Sequence, residues 1–186
     1  MRVISGKARG AILVSPRGMN TRPTSDRVRE ALFSIILSRF ELDCARVVDL
    51  CAGTGSLGIE ALSRGAGSCC FIEYDRNAAA ALKRNLITVH FSERAEVLEM
   101  ELQKALRLLS KRGAIFDIAF FDPPYSSGLY LTTPAIFCNL SLLAEGGLFI
   151  AETSVRNVLP DRLGSLVKDD RRIYGDTALE FYSLER

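Results

Sequence analysis

The chain has no tryptophan, one histidine, His90, and no cysteines at C-x-x-C spacing. Zinc-binding modules draw on closely spaced Cys and His pairs, so a zinc site is not supported and no metal is expected. The five cysteines, Cys44, Cys51, Cys69, Cys70 and Cys138, are odd in number and irregularly placed. They form no disulfide framework, which points to a reducing cytoplasm. No apolar run reaches the roughly 18 residues of a membrane span. The opening Met1-Arg2-Val3-Ile4-Ser5-Gly6-Lys7 also lacks the apolar centre of a signal peptide. The expectation is a cytoplasmic protein with no membrane partner. Internal repeats and low-complexity segments are missing too, which excludes a solenoid. Without tryptophan, only tyrosine and phenylalanine can offer stacking surfaces.

What the chain does have is a core. At 186 residues and 48% hydrophobic composition, it should bury about 70% of its unfolded surface as a single unit. Its charge is lopsided: the overall net charge of +2 divides into +6 over residues 1–29 and −4 over the rest. Arg2, Lys7, Arg9, Arg17, Arg22 and Arg27 belong to that basic block. Such clustering marks a surface for nucleic-acid phosphates, the ordinary alternative being a solvated basic face. The expected organisation is a basic N-terminal hairpin and loop over residues 1–23, the candidate docking surface for nucleic acid, followed by a core unit over 24–186.

Arg2 to Ser5 and Ala11 to Val14 read as short strands joined by a flexible, basic Gly6 to Gly10 tip. Thr24, Ser25 or Asp26 then caps a helix whose apolar residues Val28, Leu32, Ile35, Ile36 and Phe40 recur at helical spacing. From Ala45 onward the pattern alternates. Strands are predicted over 45–50, 69–73, 95–98, 116–121 and 147–152, with helices over about 57–63, 76–88, 102–110 and 132–140. That βαβ series implies an α/β fold with a mostly parallel sheet. Extended runs over 165–174 and 177–184, joined at Gly175-Asp176, predict a closing antiparallel hairpin.

Gly53, Gly55 and Gly58 have G-x-G-x-x-G spacing between a strand and a helix, and Glu73 follows Gly53 by 20 residues. This is a nucleotide fingerprint with a carboxylate placed for a ribose diol. Spacing alone allows a nicotinamide dinucleotide or S-adenosylmethionine. Asp49 favours the second, because a carboxylate beside the loop repels a pyrophosphate and attracts a methionine ammonium. Its other reading is a capping or turn aspartate. Asp75 reads as the N-cap of the next helix. Glu99 or Glu101 would supply an acceptor for the adenine amine, unless that stretch is simply an exposed acidic turn.

Phe116 to Tyr125 reads Phe-Asp-Ile-Ala-Phe-Phe-Asp-Pro-Pro-Tyr, a buried strand ending in a carboxylate, two prolines and a ring. Pro123 and Pro124 cannot donate hydrogen bonds, so Asp122 and the bare carbonyls beside it form an acceptor-only strand end. Tyr125 adds a π-face. Such a site suits the exocyclic amine of a nucleobase, although Asp-Pro also ends many ordinary strands.

Together these segments resemble the RsmD-type family of small-subunit ribosomal RNA guanine-N2 methyltransferases. The resemblance lies in Arg2-Val3-Ile4-Ser5-Gly6, Arg9-Gly10, Arg22-Pro23-Thr24-Ser25-Asp26-Arg27-Val28-Arg29-Glu30, Asp49 to Gly58, Glu60 to Ala66, Ile72-Glu73-Tyr74-Asp75 and Phe121 to Tyr125. It implies a class I S-adenosylmethionine-dependent methyltransferase, Rossmann-like, with a small N-terminal β-hairpin extension. It also implies a cofactor site over Asp49, Cys51, Ala52, Gly53, Thr54, Gly55, Gly58, Glu73 and Tyr74, to which the position of Glu101 after the third strand adds an adenine contact, although residues 99–101 match no sharp pattern of the family. Catalysis would fall to Asp122, Pro123, Pro124 and Tyr125. The implied partner is small-subunit ribosomal RNA or the assembling subunit, met by a monomer. Asp122 and the Pro123 carbonyl would hold both hydrogens of guanine N2, and Tyr125 would stack on the base. The competing readings are a DNA adenine-N6 methyltransferase, a non-catalytic RNA-binding assembly factor and a nicotinamide-dependent oxidoreductase.

Overall fold

Short apolar runs alternate with amphipathic stretches along most of the chain, and in the computed structural model they assemble into one eight-stranded sheet. The structure describes residues 1–16, 25–124 and 128–185. Helix α1 (Asp26–Arg39) comes first, capped by the Ser25 hydroxyl, which accepts from the Val28 N–H. Then follow β1 (Arg46–Asp49), α2 (Ser56–Ser63), β2 (Ser68–Ile72), α3 (Arg76–Thr88), β3 (Ala95–Leu98), α4 (Leu102–Lys111), β4 (Phe116–Phe121) and α5 (Leu129–Asn139). The chain closes with β5 (Leu143–Ser154), β6 (Arg162–Leu163), β7 (Leu166–Tyr174) and β8 (Thr177–Leu184).

The sheet order is β3-β2-β1-β4-β5-β8-β7-β6. Strands β1 to β5 pair in parallel, whereas β8, β7 and β6 add on antiparallel. Strand order reverses between β1 and β4, so the crevice outside their carboxyl ends is the expected ligand position of an open α/β sheet. Alternating side chains feed two cores. One face carries Val47, Phe71, Ile118, Phe120 and Ile150 beneath α1, α2 and α3. The other carries Val48, Ile72, Phe121 and Phe149 beneath α4 and α5.

Three elements differ from expectation. Strand β5 starts at Leu143 rather than 147, because the backbone continues through Glu145-Gly146-Gly147 with a register shift against β4 instead of turning. Gly147 allows this: a Cβ there would sit 2.9 Å from the Asp117 carbonyl oxygen. Helix α5 starts at Leu129 and keeps Pro134 inside, where periodicity placed the start nearer that proline. The two-residue β6 was too short to leave a pattern.

The N-terminal hairpin is narrow, with one bridge, Arg2 to Ile12. Its tip is pinned rather than free. The Ile4 and Ser5 N–H groups donate to the Glu60 carboxylate at 2.8 and 3.0 Å. Those of Lys7 and Ala8 donate to the Ser63 carbonyl and hydroxyl at 2.7 and 2.9 Å. Gly6 has φ +80°, and an added Cβ would fall 1.9 Å from the Ser63 oxygen, so only glycine permits this approach to α2. Buried Val3 and Leu13 complete the docking.

Candidate active site

Strand β1 runs into the glycine loop because its sheet bonds continue on both sides. Leu50 N–H donates to Phe120 at 2.9 Å, and Ala52 N–H to Ile72 at 3.0 Å. The loop then turns through Gly53 and Gly55, at φ +53° and +86°, with Gly55 capping α2. At Gly55 an added Cβ would lie 2.3 Å from the Leu82 side chain, and at Gly58 2.3 Å from the Phe71 ring. At Gly53 it would meet nothing within 4 Å. Two of the glycines thus serve packing, and the first leaves an open cradle.

Two carboxylates hold the loop. Glu73 accepts the Gly53 N–H at 2.7 Å and the Asp75 N–H at 2.8 Å. Asp49 accepts the Gly58 N–H at 3.2 Å, in the first turn of α2. The capping role that sequence allowed for Asp49 is therefore present. It leaves acceptor capacity over, because a carboxyl group has more lone-pair sites than this one bond uses. Asp75 caps α3 through the Ala78 N–H at 2.8 Å.

Asp49 and Glu73 are joined by Asp122 and Glu152 in a row. In sheet order, Glu73 follows β2, Asp49 ends β1, Asp122 follows β4 and Glu152 lies near the end of β5. Each stands two residues beyond a member of the first core: Phe71, Val47, Phe120 and Ile150. The period-2 alternation of strands therefore directs all four toward the face of α1 to α3. Electrostatic effects connect them. Burial pushes the Asp49 carboxyl from 3.8 up to about 7, against the Gly58 hydrogen bond, with Glu73's charge adding to the rise and a Cys51 N–H opposing it. Asp122 is held well above the usual carboxylate range by burial, then by Glu152 and Asp49. Burial and three of these carboxylates push the Cys51 thiol up as well, so Cys51 stays protonated and is no nucleophile.

The Asp49 shift has a stability consequence. Between pH 3.8 and about 7 the folded protein keeps a proton that the unfolded chain has released, so this group's contribution to stability falls as pH rises through that window. Urea unfolding at pH 5 and pH 8 should therefore show Asp49→Asn gaining about 2–3 kcal/mol relative to the parent at the higher pH. An equal difference at both pH values would show that Asp49 titrates normally.

Pro123 departs from expectation, because its carbonyl is not bare. The buried Tyr130 hydroxyl, from α5, lies 3.0 Å from it and 2.9 Å from the Glu152 carbonyl. A hydroxyl donates one hydrogen, and a carbonyl has two lone pairs, so acceptor capacity at Pro123 survives. Tyr125 lies outside the described residues, as do Arg17, Arg22 and Thr24. Tyr74, next to Glu73 in the chain, is 71% exposed. Glu101 faces solvent in an ion pair with Lys104 at 3.0 Å, and Glu99 pairs with Lys83 at 2.9 Å. Neither belongs to the carboxylate row.

Sequence reasoning missed Glu152, Tyr130 and Asn85. Asn85 is buried in α3 and donates to the carbonyls of Thr54, at 3.0 Å, and Val14, at 3.1 Å. It ties the glycine loop to the end of the hairpin. An amide on an otherwise apolar helix face (Ala78, Ala81, Leu82, Leu86) was its available signal. In the basic block, Lys7, Arg9 and Arg27 are exposed. Arg2 pairs with Asp26 at 3.2 Å, and Arg29 is buried against Asp26 and the Arg2 carbonyl.

A family model described as conserved hypothetical protein 95 matches residues 1–183. YlbH of Bacillus subtilis (strain 168), a putative rRNA methyltransferase, is 38% identical over 182 residues, 98% of each chain. Ribosomal RNA small subunit methyltransferase D of Escherichia coli (strain K12) is 35% identical over 185 residues, covering 100% of this chain and 90% of its own. Among solved structures, a hypothetical protein of Thermus thermophilus superposes with a TM-score of 0.85 at 30% identity, over 99% of both chains.

Proposed function

The chain belongs to the conserved hypothetical protein 95 family, the RsmD-type methyltransferases, and on that premise we propose that it methylates the exocyclic N2 of a guanine in small-subunit ribosomal RNA. The observation that carries this reading is the placement of Asp122 and the Pro123 carbonyl. They stand at the carboxyl end of β4, next in the sheet to β1 and its glycine loop, where an amine held by one faces a ligand held by the other.

The residues fit S-adenosylmethionine. Its ribose diol matches Glu73, whose carboxylate keeps acceptor sites beyond its two backbone bonds. Its ammonium and sulfonium match a row of carboxylates that would repel a pyrophosphate. At Gly53 the space beside the backbone is open, which lets a ligand approach the chain closely. When bound, this cofactor supplies an activated methyl group on a cationic sulfur. Asp122 and the Pro123 carbonyl hold the two N2 hydrogens, drawing nitrogen toward a tetrahedral geometry with its lone pair free for attack. Asp122 then lies against the positive charge that develops on N2. Tyr125 stacks on the base.

RNA docks on the hairpin. Residues 1–23 act as the docking unit and 24–186 as the catalytic one, in a cytoplasmic monomer. Glu60 and Ser63 make the tip a rigid platform, so the backbone carrying Lys7 and Arg9 needs no ordering and only their side chains lose freedom on meeting phosphates. Replacing Lys7, Arg9 and Arg27 together by alanine should flatten the log-log salt dependence of RNA binding by about 2–3 units, at about 0.7–0.9 per phosphate contact. Affinity for S-adenosylmethionine should not change, and an unaltered slope would return these cations to a solvated face.

Mapping methylated nucleotides in ribosomal RNA from cells with and without the protein tests the whole reading. One N2-methylguanine should vanish from the small-subunit RNA on deletion and return on incubation of that RNA, or of the subunit, with purified protein and cofactor. Methyl groups on adenine N6 instead, or none, would overturn it.

A further inference from the structure

Asn85 is a polar side chain in an apolar place, 1% exposed on the face of α3 that carries Ala78, Ala81, Leu82 and Leu86. A buried amide costs free energy unless its hydrogen bonds are made, and here the oxygen and both hydrogens are used. Its Oδ1 accepts the Val14 N–H at 2.8 Å, and its Nδ2 donates to the Val14 carbonyl at 3.1 Å and the Thr54 carbonyl at 3.0 Å. One amide thus serves two segments.

Thr54 stands between Gly53 and Gly55 in the loop that seats the cofactor, where the Gly53 N–H is itself held by Glu73 at 2.7 Å. Val14 belongs to the second arm of the hairpin. That arm returns from the basic tip through bonds of 2.9 Å from Gly10 to Val3, Val3 to Ala11 and Leu13 to Met1. At Val14 the partner becomes Asn85, which supplies both bonds that a neighbouring strand would supply. The hairpin is therefore fixed twice, its tip at Ser63 near the end of α2 and its second arm at α3. Because Gly55 caps α2, both fixing points lead back to the glycine loop.

We propose that Asn85 is a positioning residue that couples the two ligand sites, so that S-adenosylmethionine on the glycine loop and RNA on the hairpin each favour binding of the other. This rests on the reading of the hairpin as the RNA-docking surface. The physical basis is shared order. The amide is planar, so its oxygen and two hydrogens keep fixed directions, and it satisfies Thr54 and Val14 together only when loop and arm hold one relative position. A ligand that fixes the loop fixes the amide, and the arm then loses less freedom when RNA arrives. Linkage requires the converse: RNA raises cofactor affinity by the same factor. A structural staple, by contrast, would stabilise the fold and leave the two affinities independent.

Two measurements test the coupling. The first is the affinity of the parent protein for small-subunit ribosomal RNA from the deletion strain, with and without saturating S-adenosylhomocysteine, the demethylated product. It should tighten about fivefold or more with the product bound. In Asn85→Asp, which keeps an acceptor for the Val14 N–H but lacks both amide hydrogens, that ratio should fall to about one, and Asn85→Ala should match it. A cooperative thermal transition checks that each variant is folded. Simple loss of a staple would lower Tm and keep the ratio.

The second is hydrogen exchange at the Val14 amide, read by NMR. S-adenosylhomocysteine should raise its protection about threefold or more in the parent and leave it unmoved in Asn85→Asp, while β4 amides, which report global opening, respond in both proteins. A ratio near one in the parent, a ratio retained in either variant, or parent Val14 protection indifferent to the product would each overturn the coupling. A parent protein that binds no RNA with or without the product would sink the docking role of the hairpin and the cooperativity with it. The exchange experiment would still report whether the loop and the arm are linked.

Discussion

Replacing Asp122 by alanine should slow methyl transfer by about 10² to 10³, equivalent to about 2.7–4 kcal/mol of transition-state stabilisation. In the proposed reaction Asp122 offers the side-chain acceptor that fixes one N2 hydrogen, and its charge would sit where positive charge grows. Losing it removes both orientation and electrostatic support. Cofactor affinity should change far less, because the proposed seat of that ligand is the glycine loop with Asp49 and Glu73. The effect therefore falls on kcat, with KM for RNA nearly constant. Asp122→Asn separates the two contributions, since the amide oxygen still accepts a hydrogen bond while the charge is gone. Single-turnover methylation of deletion-strain RNA, with calorimetry on the same preparations, checks both. Turnover near that of the parent would refute the assignment of Asp122.

Gly53→Val should weaken S-adenosylmethionine binding by about 100-fold or more. The residue sits at φ +53°, where a β-branched side chain is strained by about 1–2 kcal/mol. The added Cβ would enter the open cradle, and crowding there costs about 1–3 kcal/mol more. The free loop of the variant relaxes out of this conformation and must return to it to bind, so both costs fall on affinity; together they approach 3 kcal/mol or above, about two orders of magnitude. Gly53→Ala carries the backbone strain with a single methyl and should lose about tenfold. A cooperative thermal transition shows that each variant is folded, and calorimetry gives the affinity. An unchanged affinity in the valine variant would remove the loop from the cofactor site.

The parts of the site that were legible in sequence are those in which the chemistry and its scaffold are neighbours along the chain. Gly53, Gly55 and Gly58 declare a strand-to-helix turn because positive φ and close approach demand glycine. Asp122-Pro123-Pro124 declares a strand end because proline ends the ladder. The role of each glycine was not legible. Gly58 packs against Phe71 and Gly55 against Leu82, whereas Gly53 leaves the space free. Asp49, read as a ligand group or a cap, is found at the Gly58 N–H. That contact spans nine residues, beyond what local pattern reports.

The misses have one cause. Glu60, Ser63 and Asn85 hold the hairpin through backbone groups 55 to 71 residues away, and no periodicity encodes such distances. Glu152 reads as an ordinary polar residue in a strand until β5 is placed beside β4. Tyr130 reads as an apolar helix residue until its hydroxyl is found between two carbonyls.

Residue order alone was enough for the α/β alternation, the closing hairpin, the glycine loop and the acceptor-only strand end, since each follows from side-chain period, backbone sterics or hydrogen-bonding capacity within a few residues. It took the folded chain to set Glu73, Asp49, Asp122 and Glu152 in one row and to fasten the basic hairpin to α2. Strand order and register are settled by burial summed over the whole sheet, and they bring together charges that lie far apart in the chain.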